Sequence, residues 1–127
     1  MGVGSTVRSY QDLVVWQQSI ALAAACYKTT KSFPVSEMYG LTSQIRRAAA
    51  SIPANIAEGN GREHTGAYIN ALRIAQGSLK ELETHVLLAE MVDLLDKAEA
   101  ARLIENCDGV GRLLRALIRA LQEKDRR

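Results

Sequence analysis

Arg112, Arg115 and Arg119 recur at intervals of three and four residues, so on a helix they share one face, with Lys124, Arg126 and Arg127 beyond them. Guanidinium groups in such a row suit phosphate oxygens, which they bind through paired N–H donors. Arg46, Arg47 and Arg62 make a second candidate basic cluster. No aromatic side chain interleaves either set, so both suit the backbone of RNA or DNA rather than its bases. A plainer reading of the first set is electrostatic. Cations near a helix C-terminus complement the macrodipole, and Glu123 stands four residues from Arg119, in reach of an ion pair.

Catalytic and metal chemistry find less support. The two histidines are His64 and His85, and only Glu81 stands at helical spacing from His85, whereas a protein metal site takes three or four ligands. The Glu-x-x-His pairs of di-iron bundles are missing. So are a Cys-x-x-Cys pair, a Walker phosphate loop and a dinucleotide fingerprint. Ser78, Glu81 and His85 would lie on one helix, where they cannot be oriented as a hydrolytic triad. These residues point away from an enzyme and imply no cofactor.

A different pattern occupies residues 44–58. Gln44, Arg47, Ser51, Asn55 and Glu58 line one helical face, and Ile45, Ala48, Ile52 and Ile56 lie one position further round as a core row. A polar row beside a core row is ordinarily a solvated flank. Short and amide side chains, with Ser78 and Glu81 three apart further along, also suit an interhelical hydrogen-bond network that fixes register.

The elements that must position these groups are helices. At 127 residues the chain fits one domain, with 47% hydrophobic and 24% charged residues. Ser9 to Asp12 has the form of a capping box, and Leu13, Trp16, Ile20, Ala23 and Tyr27 follow as a core row. Phe33-Pro34 should end this first helix, and Ser36 should cap the second, which carries Pro53 inside it and should bend there. Gly59-Asn60-Gly61 stops the second helix. Tyr68, Leu72, Ala75, Leu79, Leu82, Val86 and Ala89 form the core row of a third, and Asp96 to Glu99 is another capping box. Leu103, Cys107, Val110, Leu114, Leu117 and Leu121 give the fourth a coiled-coil-like seam. The expected helices cover about 10–32, 37–59, 65–95 and 97–122, with residues 1–8 and the tail after Glu123 frayed. Short connections make neighbours antiparallel, so the fold class is an all-α, up-down-up-down four-helix bundle.

Apolar residues exceed what one bundle core needs. Val15, Leu22 and Cys26 form a second row on the first helix, and Ile74 and Leu88, with small Ala67, Ala71 and Ser78, form one on the third. That surplus suggests a homo-oligomer. Charge is segregated as well. Residues 1–80 carry 8 basic and 4 acidic groups, residues 81–108 carry 2 and 8, and residues 109–127 carry 6 and 2. Opposed patches of this kind suit docking. Cys26 and Cys107 fall within apolar rows as buried free thiols, and no apolar run is long enough to span a bilayer, so a cytoplasmic location is expected.

The stretch Ser51 to Gly59 (SIPANIAEG), continuing through Gly61-Arg62, resembles the signature of the four-helix bundle proteins encoded in ribosomal-RNA intervening sequences. Similar matches are Asp12-Leu13 with Val15-Trp16, Phe33-Pro34, Tyr39-Gly40-Leu41, Gln44 to Arg47, and Ala75 with Ser78-Leu79 and Glu81-Leu82-Glu83, over a span from about Gln11 to Leu121. The resemblance implies an antiparallel bundle assembled as a homopentamer, of bacterial and intracellular origin, with no established enzymatic role. A more distant similarity to the accessory proteins of diversity-generating retroelements implies nucleic acid and a larger nucleic-acid enzyme as partners. The expected function is therefore a noncatalytic homo-oligomeric scaffold that binds RNA or DNA phosphates. A protein–protein adaptor without nucleic-acid binding is the alternative.

Overall fold

The computed structural model describes residues 9–126. Its helices are α1 (Val14–Thr30), α2 (Leu41–Asn60), α3 (Thr65–Met91) and α4 (Lys97–Asp125), with no strand among the described residues. The expected fraying of residues 1–8 lies outside the described residues. The tail does not fray where expected, since α4 continues past Glu123 to Asp125.

The helix starts differ from the sequence expectation in an instructive way. Ser9 accepts a hydrogen bond from the Gln11 amide at 3.1 Å, but the turn it caps is a 3-10 turn, Tyr10–Asp12. Leu13 is then extended, and α1 begins only at Val14. This offset brings the Tyr10 ring edge-on to Trp16, with centroids 5.2 Å apart. Ser36 likewise falls inside a 3-10 turn, Val35–Glu37, and caps nothing. The N-cap position of α2 is Gly40, and the first helical amide, Leu41, donates instead to the Glu37 carboxylate at 3.1 Å. An acid there also complements the helix dipole. Helix α2 runs unbroken through Pro53.

Helix α3 stops four residues short of the expected Leu95. Asp93 takes a left-handed conformation, φ 64°, and the Leu94 and Asp93 amides bond back to Ala89 and Glu90 at 2.9 and 3.1 Å. These two bonds define a Schellman stop, with aspartate in the place usually held by glycine. Asp96 then caps α4 as expected, accepting from the Glu99 amide at 2.7 Å.

Helix α1 packs on α2 and α4, and α3 packs on the same two. The core rows of α2 and α3 are buried as the periodicity predicts, save that Tyr68 is only half-buried. In α4 the seam drifts at its end. Ile118 is buried, while Leu117 and Leu121 are half-buried.

Helix α1 is rotated relative to the sequence reading. Its buried row is Val15, Ser19, Leu22, Cys26 and Thr30, together with Ala23. Ile20 and Tyr27, expected in the core, are 42% and 44% exposed. Both rows are largely apolar, so spacing could not choose between them. The polar members of the buried row are satisfied locally. The Ser19 hydroxyl donates to the Trp16 carbonyl at 2.9 Å, and the Thr30 hydroxyl donates to the Cys26 carbonyl at 2.8 Å. Burial therefore leaves neither hydroxyl unpaired.

Candidate functional site

The α4 arginines are placed as their spacing dictates. Arg112, Arg115 and Arg119 are all exposed, and none makes an ion pair or hydrogen bond among the described residues. The pair expected between Glu123 and Arg119 does not form. Glu123 instead holds Arg126 at 3.0 Å, which leaves Arg119 unneutralised. Beneath the row sits Gly111, where a Cβ would stand 3.4 Å from both Arg115 Nη1 and Leu79 Cδ2. Arg115 thus folds over a flat strip of backbone at the α3–α4 seam. A groove of about 400 Å³ opens there, with Lys80, Arg112 and Arg115 contributing positive charge and Glu83 and Asp108 negative charge. Lys80 Nζ pairs with Glu83 at 3.3 Å. The sequence signal for this groove was Gly111 inside a helix, which helical spacing of apolar residues does not register.

The second basic cluster does not assemble. Arg46 turns inward onto α1, donating to the Thr30 hydroxyl at 2.9 Å and lying 4.9 Å from the Tyr27 ring centroid. Arg47 is exposed and donates to Gln44 at 3.4 Å. Arg62 lies past the other end of α2, paired with Glu58 at 3.6 Å. Fifteen residues at 1.5 Å rise put Arg62 roughly 20 Å from Arg47 along the axis, too far for a shared phosphate.

The polar stripe on α2 faces α3, and only its middle forms a network. Ser51 and Ser78 share a hydrogen bond of 2.8 Å, and Asn55 Nδ2 donates to the Ser51 hydroxyl at 3.0 Å and to its carbonyl at 2.8 Å. Gln44, Glu58 and Glu81 are drawn off by neighbours close in sequence, namely Arg47, Arg62 and His85. The wider network expected of these six residues therefore reduces to Ser51, Asn55 and Ser78. Gly59 ends the same face. A Cβ there would come within 2.8 Å of the Ala71 Cβ and 2.9 Å of the Tyr68 ring, so this glycine sets how closely α2 and α3 approach.

His85 stands 3.8 Å from Glu81, and both its ring nitrogens are buried without a hydrogen-bond partner among the described residues. No group of three or more metal-ligating side chains comes together among the described residues. Cys26 and Cys107 are free and buried, and loss of solvation pushes each thiol pKa up to about 12.

A further surface was missed because α1 is rotated. Trp16, Ile20 and Tyr27 of α1 and Pro53, Ala54 and Ala57 of α2 line an open, almost wholly apolar groove of about 510 Å³. On α3, Ile74, Leu88, Met91 and Val92 just beyond it are exposed. No helix among the described residues is long and apolar enough to cross a membrane.

Four helices and no strand among the described residues make this an all-α bundle-type protein, with a small hydroxyl–amide network between α2 and α3 and a row of unpaired arginines on α4. The chain belongs to the 23S rRNA-intervening sequence protein family, whose model matches residues 11–116. The SIPANIAEG segment and its flanks lie inside that match, which ends short of the Leu121 limit read from the sequence. Among solved structures it is similar to the 1.70 Å crystal structure of a protein with unknown function from the S23 ribosomal protein family of Bacteroides thetaiotaomicron VPI-5482. That comparison gives 25% identity and a TM-score of 0.73, over 83% of this chain and 98% of the other. No curated protein matches the chain.

Proposed function

We propose that the protein is a noncatalytic, self-associating scaffold that binds RNA or DNA phosphates through the α4 arginines. The observation that carries this reading is the clustering of Arg112, Arg115 and Arg119 on one exposed face with no ion pair to neutralise them among the described residues. Guanidinium groups without a protein acceptor are available to release counterions from a polyanion. The family name, which refers to sequences within 23S rRNA, and the distant likeness to retroelement accessory proteins favour RNA or DNA, with a larger nucleic-acid enzyme as a further partner. Two unpaired buried thiols suit a cytoplasmic setting.

The four helices run antiparallel in this reading, up-down-up-down. Support comes from the pairings of Ser51 with Ser78 and of Gly59 with Ala71, which run in opposite directions along α2 and α3. Self-association is supported by the apolar α1–α2 groove and the exposed residues of α3, two different surfaces of the kind a heterologous ring interface needs. Five copies is the number that the family resemblance suggests. Sedimentation equilibrium should then give five times the 13.9 kDa chain mass, and a Trp16→Asp/Ile20→Asp variant should dissociate.

Binding is tested by titrating structured RNA at about 50 mM and about 200 mM salt, where a multi-phosphate contact loses orders of magnitude in affinity. Replacing Arg112, Arg115 and Arg119 together by Glu should abolish binding and leave the helical content unchanged. Absence of binding at the lower salt overturns the phosphate reading. It would favour the second reading, an adaptor for proteins, which the apolar groove by itself supports.

A further inference from the structure

We infer that the groove at the start of α2 binds a phosphate dianion, either inorganic phosphate or the terminal phosphate of a nucleotide, at a site separate from the α4 arginines. The backbone supplies the first donors. The Leu41 amide is held by Glu37, and Gln44 is the first amide of α2 to bond back, to the Gly40 carbonyl at 3.1 Å. The Thr42 and Ser43 amides between them have no acceptor among the described residues, and they stand at the positive end of a 20-residue helix. Thr42 makes this more than a helix end. It is 4% exposed, yet its hydroxyl has no hydrogen-bond partner among the described residues, whereas the buried hydroxyls of Ser19 and Thr30 each bond to a carbonyl one turn back. Nor is that hydroxyl sealed in apolar packing, because among the described side chains only the His85 nitrogens are both fully enclosed and unpartnered. It opens on a groove of about 430 Å³, which Thr42 lines with Ser43, Arg46, Arg47, Tyr27 and Tyr39. A buried hydroxyl left unpaired lowers stability, and a ligand oxygen would remove that cost.

The charge comes from one turn further on. Helical side chains lean toward the N-terminus, so Arg46 and Arg47, four residues beyond Thr42 and Ser43, reach back over them on the same two faces. Arg46 is fixed in place by α1. Its Nε donates to the Thr30 hydroxyl at 2.9 Å and its guanidinium lies 4.9 Å from the Tyr27 ring centroid, which leaves Nη1 without an acceptor among the described residues. Neither arginine has an ion pair among the described residues, so both keep their charge for a ligand. The nearby acid, Glu37, is turned onto Gly40, where a Cβ would meet its Oε1 at 2.7 Å, and it does not line the groove. A phosphate dianion suits this set, because its terminal oxygens only accept and every group around them, amide, hydroxyl or guanidinium, donates. The groove is larger than one phosphate, and Tyr39, 96% exposed, offers a face on which the planar group of a nucleotide can stack.

The test is an NMR titration that follows the amide signals of the full chain at about 50 mM salt, where charge contacts are only weakly screened. The probes are inorganic phosphate, uridine 5′-monophosphate and uridine. The Thr42 and Ser43 signals should shift and saturate with the first two and stay still with uridine. Binding of the nucleotide about fivefold or more tightly than phosphate assigns the site to a nucleotide stacked on Tyr39, and equal affinity assigns it to phosphate itself. Thr42→Val removes the unpartnered hydroxyl and keeps the branched shape, so it should weaken both ligands about tenfold without lowering Tm. Arg47→Gln should weaken them by a similar factor. Glu37→Gln, which removes a negative charge and keeps an oxygen for the Leu41 amide, should tighten binding about threefold. No shift of Thr42 and Ser43 at about 10 mM phosphate, tenfold above a millimolar Kd, overturns the site. Unchanged affinity in Thr42→Val overturns it too. Loss of phosphate binding when Arg112, Arg115 and Arg119 are replaced by Glu, with Thr42→Val unaffected, would move the phosphate to α4 and leave the α4 reading standing without this site.

Discussion

Gly59→Ala is the substitution for which helix propensity and packing disagree in sign. Gly59 sits in the last turn of α2, where alanine is intrinsically preferred over glycine by up to about 1 kcal/mol. Packing opposes this. The added Cβ would stand 2.8 Å from the Ala71 Cβ, 2.9 Å from Tyr68 Cδ1 and 3.2 Å from the Tyr68 carbonyl oxygen. Carbon atoms prefer separations of about 3.5–4.0 Å, so an overlap of roughly 0.7 Å must be relieved. The Tyr68 ring is restrained by the Asn60 side-chain amide, which donates to its hydroxyl at 3.2 Å. The Ala71 Cβ has no torsion to move it. Relief therefore requires α3 to retreat from α2, and overpacking of this kind costs about 1–3 kcal/mol. The net expectation is a loss of about 1–2 kcal/mol, lowering Tm by about 3–8 °C. Gly66 and Gly77 serve as controls, because a Cβ at either meets nothing within 4 Å. Their alanine variants should gain up to about 1 kcal/mol each. Urea unfolding followed by helical circular dichroism, at one fixed protomer concentration, reads all three as shifts in midpoint at constant slope. A Gly59→Ala protein as stable as the parent would refute the close-approach account of this glycine.

Three other outcomes are expected. Ser51→Ala and Ser78→Ala should couple by about 1 kcal/mol in a double-mutant cycle, since Ser51→Ala strands the Ser78 hydroxyl and Ser78→Ala leaves the Ser51 hydroxyl with the Asn55 amide alone; additive effects would show the 2.8 Å pair to be energetically idle. His85→Leu should raise stability by about 1–2 kcal/mol in the same urea assay, because the imidazole buries both nitrogens without a hydrogen-bond partner; a loss of that size would show that His85 has a partner in solution. Burial holds Cys26 and Cys107 near pKa 12 in the folded chain against 9.0 for a free thiol, so between those values the unfolded chain binds fewer protons. Stability contributed by the two thiols is complete below pH 9 and falls as pH rises toward 12, by up to about 1.4 kcal/mol per pH unit for each. A Cys26→Ala/Cys107→Ala variant should lack this slope when melts at pH 8 and 10.5 are compared with the parent, and the native thiols should resist a disulfide reagent at pH 8.

Much of the fold was legible because it depends on spacing within a helix. The core rows of α2 and α3 and the single exposed face of Arg112, Arg115 and Arg119 follow from a period of 3.6 residues, and the Asp96 cap follows from the local Asp96 to Glu99 pattern. The α2 polar stripe was legible as a stripe, but its division was not. Whether Gln44 bonds across to α3 or back to Arg47 depends on which partner is nearer, and that is a matter of rotamers and helix separation.

The sequence by itself determined that this chain folds as four helices and which residues share a face on each. Only the tertiary structure decided which of two apolar faces of α1 points inward, and with it where the exposed groove of Trp16, Ile20 and Tyr27 lies. It also set Arg46 and Arg47 on α2 apart from Arg62 beyond its end, and it set Asp108 and Arg115 of α4 beside Lys80 and Glu83 of α3. The physical reason is the same in each case. Local periodicity fixes angles about one helix axis, whereas burial, ion pairing and grooves depend on the rotation and separation of neighbouring helices, which close contacts such as Gly59 against Ala71 set.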